Sequence, residues 1–214
     1  MIKLYLVRHG ETVANKAHIL QGQTDGELNE TGRAQAREVR EKMKGSAIDV
    51  YVASDLQRAV ETCRIIAGDD RKNVVTTPLL RERDWGSFTG KYIPDLENQT
   101  WPDDIESLEE LKSRARNFLT WLKVTYPDKT VLAVGHGIIN KAIQSVYFRK
   151  PMNEIEKMTN AEVRVLVILP CHRYRAYLTP LSCTYYGVIV LPLRQKPTSI
   201  TPFLRTFYAV IIHL

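Results

Sequence analysis

The sequence is poor in cysteine and has no long apolar segment, and each absence narrows the class of protein. Its 214 residues include three cysteines, Cys63, Cys171 and Cys183, whose scattered spacing forms neither a disulfide framework nor a zinc motif. No run approaches the roughly 18 apolar residues of a membrane-spanning helix. Only four apolar residues, Leu4 to Val7, precede Arg8, too few for the apolar region of a secretory signal. We therefore expect a reduced, cytoplasmic protein without a membrane span.

Two common motifs of ligand sites are also missing. The sequence contains no glycine-rich loop ending in Lys-Ser or Lys-Thr, the pattern that cradles nucleotide phosphates. It contains no His-Glu-x-x-His pair, the pattern that places two zinc ligands on one helix face. We therefore expect neither a nucleotide-binding fold nor a required metal or cofactor.

Acidic residues are absent from the last part of the chain. Residues 167–214 carry +5 of the formal net charge of +6, so the first 166 residues are nearly neutral. In those first residues the basic side chains are interleaved with acidic ones, which argues against nucleic acid as a partner.

The segment 167–214 also differs in composition, since it holds half of all prolines and half of all tyrosines. It has no helical apolar stripe, and Val188–Leu191 and Tyr208–Ile212 are uncharged, β-prone runs of the aggregation-prone type. Two hypotheses remain open. The segment is either a native basic extension that contacts a membrane surface or a partner, or the product of a non-native reading frame. We favour the second and assign the globular domain to residues 1–166.

Within those 166 residues, apolar β-type runs alternate with helical patterns. This alternation predicts a three-layer α/β/α sandwich around a mostly parallel sheet. An irregular excursion at about residues 83–106 reads as a small lid. The predicted strands are Ile2–Val7, Ile48–Ala53, Val74–Thr77, Thr130–Val134 and Ala161–Val167. The predicted helices are Thr31–Lys44 with Thr31 as cap, a helix capped by Ser54 or Asp55 and ending at Gly68, a helix opened by a capping box of Ser107 and Glu110 and running to about Val124, and Ile138–Phe148.

Two of the predicted strands are followed, within two residues, by a histidine next to a glycine. Arg8-His9-Gly10 follows the first strand, and Gly135-His136-Gly137 follows the fourth. Ligands in such sheets bind at the carboxyl ends of the strands, so both imidazoles are expected in one crevice. A histidine attacks phosphorus only when neutral, and cations such as Arg8 and Arg58 disfavour its protonation. We predict His9 as the nucleophile, with Arg8, Arg58 and His136 binding the phosphate.

A leaving alkoxide needs a proton, and Glu82 is the best candidate acid because it precedes a glycine-containing loop. A partly buried carboxyl close to a phosphate could stay protonated. The alternatives for Glu82 are an exposed carboxylate or an ion pair with Arg81 or Arg83. Asn15 lies within reach of a phosphate oxygen or the backbone, and Glu11 is expected to support the site rather than react. The other histidines have no supporting constellation: His18, His172 and His213.

Taken together, four segments make the sequence resemble the histidine phosphatase superfamily, in the branch that includes cofactor-dependent phosphoglycerate mutases. The resemblance covers roughly residues 1–166. It implies that His9 is phosphorylated, that Arg8, Arg58 and His136 form the phosphate pocket, and that Glu82 donates the proton. It places Asn15 near the phosphate and suggests substrate contacts from Gln21, Gln23 and Thr24. The segments are Arg8-His9-Gly10-Glu11-Thr12 with Asn15, Ser54 to Thr62, Glu82 to Gly90, and Gly135-His136-Gly137.

Hydrolysis of a small phosphorylated metabolite is the favoured function, and a mutase is the alternative. The mutases resembling this chain carry a longer, arginine-rich insertion after the residue matching Glu82, whereas the stretch from Arg83 to Ser107 holds only Arg83 and Lys91 as basic residues. A catalytically silent phosphate-binding module is a third reading, opposed by the intact residue set.

The aromatic residues of the lid indicate either a ring-bearing leaving group or internal packing: Trp85, Phe88, Tyr92 and Trp101. The sequence leaves the oligomeric state open.

Overall fold

Five strands form one sheet in the computed structural model, which describes residues 1–68 and 73–169. The strands are β1 (Ile2–Arg8), β2 (Val50–Ser54), β3 (Val74–Thr77), β4 (Thr130–Gly135) and β5 (Val163–Ile168). They lie in the order β3-β2-β4-β1-β5. The first four run parallel, and β5 pairs antiparallel with β1 at the edge. The predicted, mostly parallel sheet is confirmed.

Helices cover both faces of this sheet. They are α1 (Val13–Lys16), α2 (Glu30–Lys42), α3 (Gln57–Ala67), α4 (Leu108–Thr125) and α5 (Gly137–Phe148). Alternate residues of β1 enter two separate cores: Leu4 and Leu6 pack with α4 and α5, whereas Tyr5 and Val7 pack with α2 and α3. A strand buried on both faces needs a continuous apolar run, which is why β1 reads that way. The three-layer sandwich is confirmed.

The predicted helix starts were right at α4 and wrong at α2 and α3. At α4, Ser107 and Glu110 form the predicted capping box. At α2 the capping side chain is Asn29, which accepts from the N–H of Gly32, and not Thr31. Asn29 also donates to Glu11 Oε1 at 2.6 Å, so the cap is fixed by a tertiary contact that local patterns do not show.

At α3 neither Ser54 nor Asp55 is the cap. The N-cap residue is Leu56, which has no side-chain cap, and Asp25 Oδ1 accepts the N–H of Gln57 at 3.2 Å. Asp55 instead forms a bidentate pair with Arg81. A cap supplied from 32 positions away lies outside what a local sequence pattern encodes. The helix ends as predicted, at Gly68 in the left-handed conformation.

The predicted lid excursion is an ordered loop with two short 3₁₀ helices, Gly86–Phe88 and Ile93–Leu96. Its base is closed by Asp84 and Glu106, whose backbones are joined by Glu106 N–H donating to Asp84 O at 3.0 Å. Its middle lies on the loop around Leu20, which receives the Gly90 N–H at 2.7 Å. The excursion therefore connects the base of α4 with the loop after α1.

The last strand starts later than predicted, at Val163 rather than Ala161. Ala161 has a φ of 57°, which lies outside the strand region, and its N–H donates to the carbonyls of Arg8 and His9. The predictions for 170–214 lie outside the described residues. Among the residues that the structure describes, no helix is long and apolar enough to cross a bilayer.

Candidate active site

The carboxyl ends of β1 and β4 bring the two predicted histidines together. Arg8 and Gly135 are paired in the parallel register, and the His9 N–H donates to Gly135 O at 3.0 Å. Because each strand then delivers its next residue to the same edge, the rings of His9 and His136 meet edge to face with centroids 5.0 Å apart. The predicted convergence of both imidazoles is therefore observed.

The hydrogen bonds of His9 fix which ring nitrogen is free. Its Nδ1 lies 2.7 Å from the carbonyl of Gly10, and a carbonyl only accepts, so Nδ1 carries the proton. Nε2 is then left with its lone pair. The ring is 3% exposed, and burial, followed by Arg58 and Arg8, holds the pKa of His9 well below its ordinary value. His9 is neutral at physiological pH, as a nucleophilic imidazole must be.

His136 is held in the opposite tautomer. Arg58 Nε donates to His136 Nδ1 at 3.2 Å, so the proton of the neutral ring lies on Nε2. That Nε2 is buried and has no hydrogen-bond partner in the described part of the chain. The pKa of His136 is also well below its ordinary value, first through burial and then through Arg58. One histidine thus offers a lone pair and the other an N–H donor.

The two arginines differ in burial and in contacts, since Arg8 is half-buried and Arg58 is fully buried. Arg8 donates from Nη1 to Met158 O at 2.7 Å, whereas its buried Nε has no partner within residues 1–68 and 73–169. Arg58 is 1% exposed, and its two Nη groups donate to the carbonyls of Thr24 and Gly22 at 2.6 and 2.8 Å. Burial lowers the pKa of Arg58 to about 10, so its guanidinium stays charged at neutral pH.

Two unpartnered buried donors therefore flank His9 among the described residues: Arg8 Nε and His136 Nε2. A buried donor without a partner costs about 1–3 kcal/mol. Arg8 is the last residue of β1, and His136 directly follows β4. An anion with several acceptor oxygens would satisfy both at once. This is the arrangement that a phosphoryl group requires.

The side chain of Glu82 lies against the N-terminus of α5. It is neither an exposed carboxylate nor the partner of Arg81, which pairs with Asp55, and its contact with Arg83 is to the backbone N–H. Its carboxylate accepts the N–H groups of Ile138 and Ile139 at 3.1 and 3.2 Å and that of Arg83 at 2.8 Å. An ideal Cβ on Gly137 would lie 3.6 Å from both Glu82 Oε2 and Arg8 Nε. The carboxylate and the Arg8 guanidinium thus face the same small space over Gly137.

The remaining predicted residues, Asn15, Gln21, Gln23 and Thr24, are each hydrogen-bonded within the protein. Asn15 caps α1 with Thr12, and its Oδ1 accepts from Asn160 at 3.3 Å. Gln23 donates to the carbonyl of Glu82 at 3.1 Å. The side chains of Gln21 and Thr24 are bonded within their own region, to the Thr12 hydroxyl and to Gln21 O.

Several supporting residues escaped sequence reasoning. Asn160 donates to the carbonyl of His9 at 3.2 Å, and Asn140, buried in α5, donates to Val7 O at 3.0 Å. These contacts end on backbone atoms, which leave no trace in side-chain spacing. The signal available was a polar residue, Asn140, inside an apolar helix face.

The described residues hold no cluster of three or more His, Cys, Asp or Glu side chains arranged for a metal ion. Of the groups at the centre that could bind a metal, the two histidines have their ring protons assigned above, and the Glu82 carboxylate accepts backbone N–H groups.

The lowered pKa values of the two histidines predict a loss of stability in acid. Below pH about 6.5 the unfolded chain binds a proton on each ring that the folded protein does not, so the free energy of unfolding falls by about 1.4 kcal/mol per pH unit per ring. We expect urea denaturation between pH 7 and 5.5 to show a steeper acid loss for the wild type than for a His9→Ala/His136→Ala double variant. Equal slopes would contradict the assignment of two buried neutral rings.

Known proteins show the same pattern of sequence and fold. The sequence model of the histidine phosphatase superfamily (branch 1) matches residues 4–176. An uncharacterized phosphatase, PhoE, of Bacillus subtilis is 36% identical over 75% of this chain and 86% of its own. A probable phosphoglycerate mutase, GpmB, of Yersinia pestis is 40% identical over 64% of this chain and 71% of its own.

Solved structures agree in fold. A mycobacterial glucosyl-3-phosphoglycerate phosphatase has a TM-score of 0.71 and 26% identity, over 77% of this chain and 92% of its own. A phosphoserine phosphatase mutant from Entamoeba histolytica, solved with phosphoserine, has a TM-score of 0.69 and 27% identity, over 78% and 91%.

Proposed function

Since the chain belongs to the histidine phosphatase superfamily, we propose that it hydrolyses small phosphorylated metabolites through a phosphohistidine formed on His9. One observation carries the proposal: the buried ring of His9 has an unprotonated Nε2, and its neighbours Arg8 and His136 hold two buried donors, Arg8 Nε and His136 Nε2, that have no partner among the described residues. A nucleophile and an oxyanion receptor in one water-poor space are what phosphoryl transfer requires.

In the first half-reaction the phosphate oxygens accept hydrogen bonds from Arg8 Nε and His136 Nε2. The lone pair of His9 Nε2 then attacks phosphorus, and the P–N bond forms as the bond to the leaving oxygen breaks. Glu82, holding a proton taken up with the substrate dianion, gives that proton to the leaving oxygen, and an alcohol departs. Arg58 was predicted as a phosphate ligand, but its Nε donates to His136 and its two Nη groups donate to the carbonyls of Thr24 and Gly22. In this proposal Arg58 acts by holding His136 with its N–H toward the phosphoryl group.

In the second half-reaction water enters the space left by the alcohol. The Glu82 carboxylate takes one proton from it, and the water oxygen bonds to phosphorus. The electron pair of the P–N bond returns to His9 Nε2, and inorganic phosphate leaves. Asn15 supports this step through Asn160, which holds the carbonyl of His9. The cycle uses no metal ion or bisphosphate cofactor.

The residues around Glu82 indicate which side chains face the leaving group of the substrate. Arg83 Cζ lies 4.9 and 5.1 Å from the ring centroids of Trp85 and Trp101, and these two rings meet edge to face 5.7 Å apart, so they pack within the lid. Of the other aromatic lid residues, Phe88 is buried and Tyr92 is exposed. The loop of Gln21, Gln23 and Thr24 is the proposed wall on the side of the leaving group, because Gln23 reaches the Glu82 backbone.

A mutase remains the second candidate because the Yersinia pestis relative is named a probable phosphoglycerate mutase. The sparse positive charge of the lid favours hydrolysis, since a bisphosphate needs more basic side chains than Arg83 and Lys91 supply. Both activities are measured on one sample: 3-phosphoglycerate with and without 2,3-bisphosphoglycerate, following phosphate release and 2-phosphoglycerate. We expect phosphate release that is independent of the bisphosphate and of a chelator. Bisphosphate-dependent isomerisation faster than phosphate release would make the chain a mutase.

A further inference from the structure

A mostly buried ion pair lies outside the reacting centre. Arg114 on α4 binds Glu106 in a bidentate way, with Nε–Oε1 and Nη2–Oε2 distances of 2.9 and 2.7 Å. Their side chains are only 16% and 13% exposed. A buried pair of this kind contributes little net stability, because desolvation offsets the attraction. Its other contacts therefore indicate what it does.

The remaining donors of Arg114 end on the backbone that leads into Glu82. Nη1 donates to the carbonyls of Leu79, at 3.3 Å, and Arg81. Nη2 donates to the carbonyl of Glu82 itself at 3.2 Å. One planar guanidinium thus fixes three carbonyls within four residues, a geometry that a lysine ammonium does not reproduce.

Glu106 holds the backbone on the other side of Glu82. Its Oε2 accepts the Asp84 N–H at 3.1 Å, and its carbonyl accepts Arg83 Nε at 2.8 Å. Its own N–H donates to Asp84 O. The chain is therefore clamped immediately before and after Glu82, while the Glu82 carboxylate is held on the N–H groups of α5.

We propose that Arg114 and Glu106 are positioning residues that aim the Glu82 carboxyl at the leaving oxygen, and that they do not touch the substrate. The inference rests on the proposed function, in which Glu82 donates the proton as the P–O bond breaks. Arg114 and Glu106 together form a clamp on the backbone around Glu82, and loss of either residue impairs proton donation by Glu82 specifically. Esters with a basic leaving oxygen then react slowly, whereas esters whose leaving group departs without a proton are spared.

The test compares kcat/KM for phenyl phosphate and p-nitrophenyl phosphate, two substrates of similar shape whose leaving groups differ in their need for a proton. For Arg114→Lys and for Glu106→Gln we expect kcat/KM to fall about 10- to 100-fold with phenyl phosphate and less than about 5-fold with p-nitrophenyl phosphate. Lys123→Met, at an exposed position of the same helix, should change neither value. In a Glu82→Gln background the Arg114→Lys change should add no further discrimination.

Two results would overturn the inference: an equal fall for both esters in soluble, folded Arg114→Lys or Glu106→Gln protein, or no fall for either ester. Circular dichroism establishes folding, and Glu106→Gln keeps the shape of the side chain should Arg114→Lys not fold. If the wild type hydrolyses both esters and the ratio is unchanged in the variants, only the positioning role fails. If the wild type hydrolyses neither, the proposed function fails.

Discussion

Replacing His9 with alanine is expected to lower kcat for phosphomonoester hydrolysis by about 10,000-fold or more, because no other group in the site can form the covalent intermediate. The imidazole has its Nδ1 proton committed to Gly10 and its pKa lowered by burial and two arginines. His136 cannot replace it, since its Nδ1 is occupied by Arg58 and its Nε2 bears a proton. Steady-state hydrolysis of p-nitrophenyl phosphate measures the effect.

A matched control separates this loss from a general effect of removing a histidine. His18 is exposed and has a φ of 55°, a conformation that asparagine tolerates. His18→Asn should therefore retain the activity of the wild type. Equal rates for the wild type and His9→Ala would exclude a His9 nucleophile, and absence of turnover in both would favour a phosphate-binding module that has lost catalysis.

Replacing Glu82 with glutamine is expected to lower kcat/KM for phenyl phosphate by about 100- to 10,000-fold, the usual range for loss of a general acid. Glutamine keeps the size of the side chain and an oxygen that can accept from Ile138 and Ile139, so the start of α5 should stay in place. Because kcat/KM reports the steps up to release of the alcohol, p-nitrophenyl phosphate should lose less than about 10-fold. The comparison of the two esters measures the proton donation itself.

The control for Glu82 is a carboxylate of the same charge that lies away from the centre. Glu109 is exposed on α4 and pairs only loosely, at 3.7 Å, with Lys112, so Glu109→Gln should leave both esters unchanged. A Glu82→Gln variant that affected both esters equally would show that Glu82 supports the fold or binds phosphate. The proton donor would then have to be sought elsewhere.

The parts of this site that are visible in the sequence are those fixed by strand ends. Arg8-His9-Gly10 and Gly135-His136-Gly137 each follow an apolar run, and a parallel sheet must bring such positions to one edge. Glu82 could be nominated from its position before a glycine-containing loop. Its place on the N–H groups of α5 could not, since that contact joins positions 56 apart in the chain.

The features that sequence reasoning missed depend on long-range contacts with the backbone. Asp25 caps α3 from a distant loop, so the expectation of a Ser54 or Asp55 cap was wrong. The clamp of Arg114 and Glu106 ends almost wholly on carbonyl and N–H groups, which every residue carries. A local pattern encodes the capping box at Ser107, one residue after Glu106, but gives no sign that Glu106 itself faces inward.

The direct test of the central claim is to find the phosphoryl group on the enzyme. Glu82→Gln protein mixed with p-nitrophenyl phosphate should form the intermediate readily but hydrolyse it slowly, because the water lacks its base. We expect a burst of one nitrophenol per active site and, after an alkaline quench, a phosphorylated peptide modified at His9 by mass spectrometry. Turnover without a burst and without a phosphorylated peptide, or a phosphoryl group on any residue other than His9, would contradict the account.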